Sequence, residues 1–129
     1  MDAICHWFNQ HAEEWNIRVR PEYTNRASET RYRIQDDSII DFDLPKESAA
    51  AVTPPIAAFE VWSPDDRISR VLQRLHDLET MGVAQIWLVD PADGVWQRFH
   101  DGRLAVCEDF HLGDRNIHFQ RGEITKLVR

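Results

Sequence analysis

Residues 56–62 read IAAFEVW and residues 63–67 read SPDDR, and this stretch decides the fold of the 129-residue chain. The first half is an apolar run of strand length with one charge, Glu60, and it predicts a strand that is covered on both faces. Burying an ionised carboxylate in such a strand costs several kcal/mol unless a cation or a set of donors compensates it. Glu60 therefore requires a partner.

The second half of this stretch predicts the start of a helix. Ser63 fits the N-cap and Pro64 the first helical position, while Asp65 and Asp66 complement the positive end of the helix dipole. Gly82 stands where a glycine typically follows the last helical turn. Between these ends an apolar stripe with helical spacing comprises Ile68, Val71, Leu72, Leu75 and Leu78.

The rest of the chain predicts further helices and strands around this unit. The expected elements are a helix over 2–15, a short or edge strand over 17–27 that contains Pro21, a strand over 31–42, a loop over 43–55, a buried strand over 85–90, a hairpin around Asp101-Gly102, and a second hairpin of 116–120 with 123–127 around Arg121-Gly122. This order predicts one α/β domain, residues 1–129, with a mixed sheet flanked by helices in two or three layers and an antiparallel C-terminal extension.

Composition and charge limit the function classes. The net charge of −7 argues against a general nucleic-acid-binding surface, although a basic stripe can exist on an acidic protein. Cys5 and Cys107 lack the spacing of a zinc cluster. No apolar stretch has the length of a membrane span and the N-terminus lacks a signal-peptide pattern, so we expect a cytoplasmic protein with no membrane partner.

Asp36 is the acid that we expect to lie beside Glu60. Both residues lie on predicted strands that flank the 43–55 loop, and two carboxylates within about 4–6 Å repel each other unless they share a proton or a metal ion. A hard cation such as Mg²⁺ would remove this repulsion and could activate water against a phosphodiester. The alternative is that Glu60 pairs with an arginine and Asp36 merely ends a strand. The residue pattern alone favours neither interpretation.

Three arginines, Arg67, Arg70 and Arg74, follow one flank of the predicted helix at intervals of three and four residues. Such stacked like charges repel, which favours an anionic partner. That partner is either a substrate phosphate or the protein's own carboxylates, and the residue pattern favours the carboxylates, namely Asp66, Asp77 and Glu60.

Three motifs resemble those of a known family. The stretches RYRIQD at 31–36, PPIAAFEVWSPDDR at 54–67 and MGVAQIWLVDP at 81–91 resemble the Uma-two family of proposed restriction endonucleases, which belongs to the PD-(D/E)xK nuclease superfamily. The resemblance runs from the first helix to about Arg98. It implies a restriction-endonuclease-like fold and metal-dependent hydrolysis of phosphodiester bonds in DNA, with Mg²⁺ or Mn²⁺ as cofactor and a homodimer as the expected assembly.

The resemblance also implies roles for particular residues. Asp36 occupies the position of the motif aspartate, and Glu60 occupies that of the second acid. The Val61 carbonyl would lie near the metal. Arg74 occupies the position at which the family carries a lysine on the helix. Trp62 occupies the usual lysine position two residues after the glutamate. Arginine can stabilise phosphate charge, but with a pKa above ~12 it does not readily take a proton from water.

Two hypotheses follow from these departures. In the first, the chain is a Mg²⁺-dependent endonuclease in which Arg67 and Arg70 steer the DNA backbone. In the second, it is a catalytically inactive, truncated nuclease-fold protein that acts as a binding or interaction module, since relatives usually carry an additional N-terminal hairpin segment. Retention of both acids favours the first hypothesis, and the acidic net charge favours the second.

Overall fold

The computed structural model of the chain describes residues 3–26, 32–41, 54–90, 92–112 and 115–125, with the backbone alone for residues 3, 21–26, 32–37, 41 and 125. Its elements are α1 (Ala3–Gln10), α2 (Ala12–Trp15), β1 (Ile17–Arg26), β2 (Tyr32–Asp41), β3 (Ala57–Val61), α3 (Ile68–Thr80), β4 (Gln85–Val89), β5 (Trp96–His100), β6 (Arg103–Val106), β7 (Asp109–Leu112), β8 (Ile117–Gln120) and α4 (Arg121–Thr125). Among the described residues, no helix has the length and apolar character that a membrane span requires.

Six strands form one mixed sheet in the order β1-β2-β3-β4-β5-β6, and β7 pairs with β8 in a separate two-stranded sheet. β3 and β4 are parallel and are joined by the crossover helix α3, whereas the other neighbours in the large sheet are antiparallel. The predicted α/β class, with a mixed sheet flanked by helices and an antiparallel C-terminal region, is confirmed.

The sheet has two buried faces because side chains alternate along β3 and β4. The α3 face consists of residues that pack with the helix: Ala58, Val71, Leu75, Leu78, Val83, Ile86, Leu88 and Phe99. The aromatic face includes Trp7, Phe8, Phe59, Trp87, Trp96, Phe110 and Phe119. Glu60 is two residues after Ala58 and so belongs to the α3 face. The one charge in β3 therefore points towards the helix and away from the aromatic rings.

The predicted start of α3, with its N-cap at Ser63, is wrong by four residues, because the N-cap is Arg67. Residues 63–66 do form a single turn, in which the Ser63 carbonyl accepts the Asp66 N–H at 2.9 Å. Arg67 is extended, with φ −86° and ψ 131°, and the helix begins at Ile68. The capping signals therefore belong to a turn before the helix. The predicted end is confirmed, since α3 ends at Thr80 and Gly82 adopts φ +94°.

The second predicted hairpin, of 116–120 with 123–127, is also wrong. β8 pairs with β7, and Arg121–Thr125 is the helix α4. The Glu123 carboxylate accepts the Gln120 N–H at 2.8 Å, which is half of a capping box, and this contact favours a helix over a turn at Arg121-Gly122.

Two differences occur near the N-terminus. The predicted helix over 2–15 is divided by a turn at His11, whose ring stacks on Trp15 at 4.3 Å between centroids. The expected strand with Pro21 is confirmed as an edge strand, β1, although it is ten residues long. Most of the predicted 43–55 loop, residues 43–53, lies outside the described residues.

Candidate functional site

Glu60 is a buried acid at the end of a central strand. Its relative exposure is 3%, and its Cα partner in the parallel strand β4 is Leu88. Beyond it the Trp62 N–H donates to the Val89 carbonyl at 2.7 Å, which extends the contact between β3 and β4. The backbone around Glu60 is therefore held on a rigid element, as a metal ligand or catalytic acid requires.

Asp36 lies in β2, the strand next to β3. Asp37 pairs with Phe59 and Ser38 with Ala58, so Asp36 and Glu60 each stand one residue beyond the last of these backbone pairs, at the same end of the segment over which the two strands pair. The side chain of Asp36 is outside the described residues. The alternative that Asp36 ends a strand is wrong, because β2 continues through Asp41.

Arg74 contacts two carboxylates from the protein. Its Nε is 3.8 Å from Glu60 Oε2, and its Nη2 is 3.7 Å from Asp66 Oδ2. The Nε atom is buried and makes no hydrogen bond to a described residue. The structure thus bears out the interpretation that the protein's own carboxylates are the anionic partners of this arginine. The contacts are ion pairs at distances too long for hydrogen bonds.

The turn before α3 explains how Asp66 reaches Arg74. The Asp66 carboxylate accepts the Ser63 N–H at 2.8 Å, and this bond fixes the acid beside the first turns of the helix. Sequence reasoning assigned Asp66 to the helix dipole and named it only as one alternative partner of the arginines. Asp77, the other acid named there, is buried and accepts the Gln73 side-chain amide at 3.1 Å.

A polar groove of about 280 Å³ adjoins this cluster. Its lining residues are Asp65, Asp66, Arg67, Arg70 and Arg74. Arg67 and Arg70 are exposed, whereas Arg74 has 27% of its side chain accessible. The groove thus brings together the three arginines that the sequence singled out, and guanidinium groups in such a groove can bind a phosphate.

The donor chemistry near Glu60 fits a hard divalent cation. A buried carboxylate and a strand-end carbonyl are oxygen ligands of the kind that Mg²⁺ and Mn²⁺ prefer. Val61, the predicted carbonyl donor, is half-buried at the end of β3. Glu60 lies within 4 Å of a guanidinium that already supplies a positive charge, so Arg74 would share its role as counter-ion with any bound cation.

A second cluster of possible metal ligands was missed at the sequence level. Within the described part of the chain, ligand atoms of Glu79, His100 and Asp101 lie within 4.8 Å of one another. The Asp101 N–H donates to Glu79 Oε2 at 2.8 Å, which attaches the β5–β6 turn to the end of α3. No sequence signal identifies this cluster, because about twenty residues separate the glutamate from the other two.

No family model matches the chain, and no curated protein matches it. Among solved structures, the chain is similar to the crystal structure of a DUF820 protein from Anabaena variabilis ATCC 29413 that is provisionally assigned as a nuclease. That match has a TM-score of 0.77 and 14% identity, and covers 98% of this chain and 78% of the other. The chain is also similar to part of DrdV in a cryo-electron microscopy structure of its complex with DNA, with a TM-score of 0.51 and 14% identity over 96% of this chain. It spans a tenth of the length of DrdV, since 10% of that chain is covered. At this identity the matches establish a nuclease-like fold.

Proposed function

We propose that this chain is a metal-dependent endonuclease of the PD-(D/E)xK type, a member of the Uma-two family that hydrolyses phosphodiester bonds in DNA. One observation carries the proposal: a buried carboxylate, Glu60, lies in a central strand of a nuclease-like sheet, next to the strand that bears Asp36. Buried carboxylates beside a charged partner in a groove are candidates for functional sites, which supports a functional role for Glu60.

In this proposal Asp36, Glu60 and the Val61 carbonyl hold Mg²⁺ or Mn²⁺. When bound, the ion would polarise the phosphodiester and lower the pKa of a water molecule. Glu60 and Asp36 supply negative charge at fixed positions on neighbouring strands, and the apolar surroundings of Glu60 strengthen its attraction to a cation. The proposed reaction centre thus lies at the end of the segment over which β2 and β3 pair.

Arg74 is the proposed phosphate contact. Its guanidinium lies 3.8 Å and 3.7 Å from two carboxylates that it does not hydrogen-bond, and it lines the groove in which a phosphate would lie. A phosphate oxygen offers the charge-assisted hydrogen bonds that these distances leave unmade. Arg74 would therefore shift from Glu60 and Asp66 towards the substrate as DNA binds.

Arg67 and Arg70 provide the proposed electrostatic contact with the DNA backbone. Both are exposed on the wall of the same groove, and the whole chain, with these arginines included, carries a net charge of −7. A local basic stripe on an acidic protein limits binding to substrates that reach the groove. A homodimer is part of the proposal, because cleavage of both DNA strands requires two such sites.

A second candidate function is that of a catalytically silent nuclease-fold binding module. The observation that favours it is the contact of Arg74 with Glu60 and Asp66, in which a protein cation already compensates the acids. Trp62 also stands where a lysine could act as a base. A protein of this kind would bind DNA through the groove without turnover.

Plasmid nicking with Mn²⁺ distinguishes the two functions. We expect the wild type to convert supercoiled plasmid to open circles and Asp36→Ala and Glu60→Gln to lose this conversion. Glu13→Gln, which changes an exposed acid on α2, is the matched control and should retain it. Equal nicking by all four proteins would identify a contaminant. DNA binding without nicking by the wild type would support the binding module.

Metal binding is tested separately by thermal melting. Titration with Ca²⁺ or Mn²⁺ should raise the Tm of the wild type with ion concentration, because the ion binds the native state alone. The Tm of Glu60→Gln should not respond. An equal response in both proteins would exclude Glu60 as a ligand.

Light scattering coupled to size-exclusion chromatography tests the homodimer.

A further inference from the structure

The hairpin of β7 and β8 has one buried face and one exposed polar face. The buried face consists of Phe110, Leu112, Ile117 and Phe119, and the exposed face consists of Asp109, His111, His118 and Gln120. The apolar residues pack in one buried cluster with the aromatic face of the large sheet, and the Gln85 side-chain amide donates to the His111 carbonyl at 2.9 Å. Both contacts fix the backbone from which the two histidines project.

His111 and His118 are directly opposite each other across the two strands. Their ring centroids are 5.4 Å apart and their ring planes meet at 68°. Two imidazoles that bind one tetrahedral Zn²⁺ at ~2.0–2.1 Å hold their centroids about 5 Å apart. The hairpin therefore presents its two rings close to the separation that a shared ion requires.

Asp109 extends this pair on the same exposed face, since it lies two residues before His111 on β7. Its Oδ1 is 3.8 Å from His118 Nε2. In metal sites a carboxylate beside an imidazole either binds the ion directly or accepts the second ring N–H and orients the ring. At this distance the carboxylate makes no hydrogen bond to the ring, and its contribution is the negative charge that a pair of neutral imidazoles lacks.

We propose that the β7–β8 hairpin is a binding site for one transition-metal ion of the Zn²⁺, Ni²⁺ or Cu²⁺ class, held by His111 and His118, with the Asp109 carboxylate as a nearby negative charge. Imidazole nitrogen selects these ions over Mg²⁺, whereas the oxygen donors at Glu60 have the opposite preference. Because packing already holds the backbone of the hairpin in place, less conformational entropy is lost when the ion binds.

The site is separate from the proposed nuclease centre. His111 contacts Gln85 at the start of β4, and Gln85 pairs with Ala57 at the start of β3, whereas Glu60 lies at the other end of that strand. Loss of one function therefore leaves the other intact, and the proposal does not depend on nuclease activity.

Isothermal titration of the full chain with ZnCl₂ tests the proposal. The wild type should bind one equivalent, and His111→Ala and His118→Ala should each weaken binding by at least ~10-fold. His6→Ala, which removes an exposed histidine on α1, should bind as the wild type does. Far-UV circular dichroism should be the same for all variants, because both hairpin histidines are exposed.

Two results would overturn the proposal. One is unchanged zinc affinity in the double variant His111→Ala/His118→Ala. The other is loss of binding in His100→Ala together with retention in His118→Ala, which would assign the ion to the cluster of Glu79, His100 and Asp101.

Discussion

The two faces of the central sheet differ in whether they contain a buried charged residue. The aromatic face is a continuous set of stacked and edge-on rings, in which Phe59 lies 5.4 Å from Trp96 and 5.6 Å from Phe8 between centroids. The α3 face is mostly aliphatic and smaller, and it contains the buried carboxylate Glu60 with Arg74 beside it. Adjacent residues of one strand, Phe59 and Glu60, therefore differ: the first packs among the aromatic rings, and the second is the proposed metal ligand.

The largest expected effect tests the aromatic face. Phe59→Ala should lower the free energy of unfolding by about 3–5 kcal/mol, because it leaves a cavity among several rings. Urea denaturation measures this loss. Val106→Ala, at a residue that is 68% exposed on β6, is the control and should change stability by less than ~0.5 kcal/mol. A loss below ~1 kcal/mol for Phe59→Ala would contradict the assignment of this face to stability.

Substitution of the neighbouring residue, Glu60, should reduce activity strongly and change stability little. Glu60→Gln should reduce Mn²⁺-dependent nicking by at least ~100-fold, equivalent to about 2.7 kcal/mol of activation free energy. Its free energy of unfolding should change by less than ~1 kcal/mol, since the amide keeps the shape and removes a buried charge. Nicking assays and urea denaturation on one preparation provide both values. A large loss of stability with unchanged nicking would make Glu60 a structural residue.

Arg74→Gln should have an intermediate effect on stability. It removes the cation next to a 3%-exposed carboxylate, and the expected loss is about 1–2 kcal/mol because Arg74 is itself partly exposed. In the Glu60→Gln background the same substitution should cost less. A double-mutant cycle by urea denaturation should give a coupling energy of ~0.5–2 kcal/mol. Additive effects would exclude a direct interaction between the two side chains.

The smallest effects are expected at the groove wall. Arg67→Ala and Arg70→Ala should leave stability within ~0.5 kcal/mol, as both side chains are exposed. Each should lower the slope of log Kd for DNA against log salt concentration by about one. Fluorescence anisotropy at several salt concentrations measures the slope. Arg103→Ala, an exposed arginine on β6, is the matched control, and an equal change there would indicate non-specific charge.

The strands of the sheet could be predicted from the sequence because their residues carry the signal locally. β3 and β4 are continuous apolar runs, and the single charge in β3 identified Glu60 as the residue that needs an explanation. The end of α3 was predicted for the same reason, since a glycine with positive φ is required immediately after the helix.

Other features depend on contacts that the sequence does not encode locally. Ser63, Pro64 and Asp66 fit a helix start and an isolated turn equally well, and only the extended Arg67 separates the two outcomes. Pairing of β8 with β7 depends on the buried aromatic rings of both strands, a tertiary effect. For Arg74 the sequence left two alternative partners, a substrate phosphate and the protein's own carboxylates. Helical spacing shows which side of the helix the arginine lies on, but it does not show which groups lie opposite that side.

The central claim is that Asp36 and Glu60 share one divalent cation. Anomalous diffraction from a crystal soaked in MnCl₂ tests it most directly. We expect one Mn²⁺ peak bound by the carboxylates of both residues, with the Arg74 guanidinium displaced from Glu60. A structure in which Mn²⁺ binds elsewhere, while Arg74 still contacts Glu60 and Asp66, would contradict the claim.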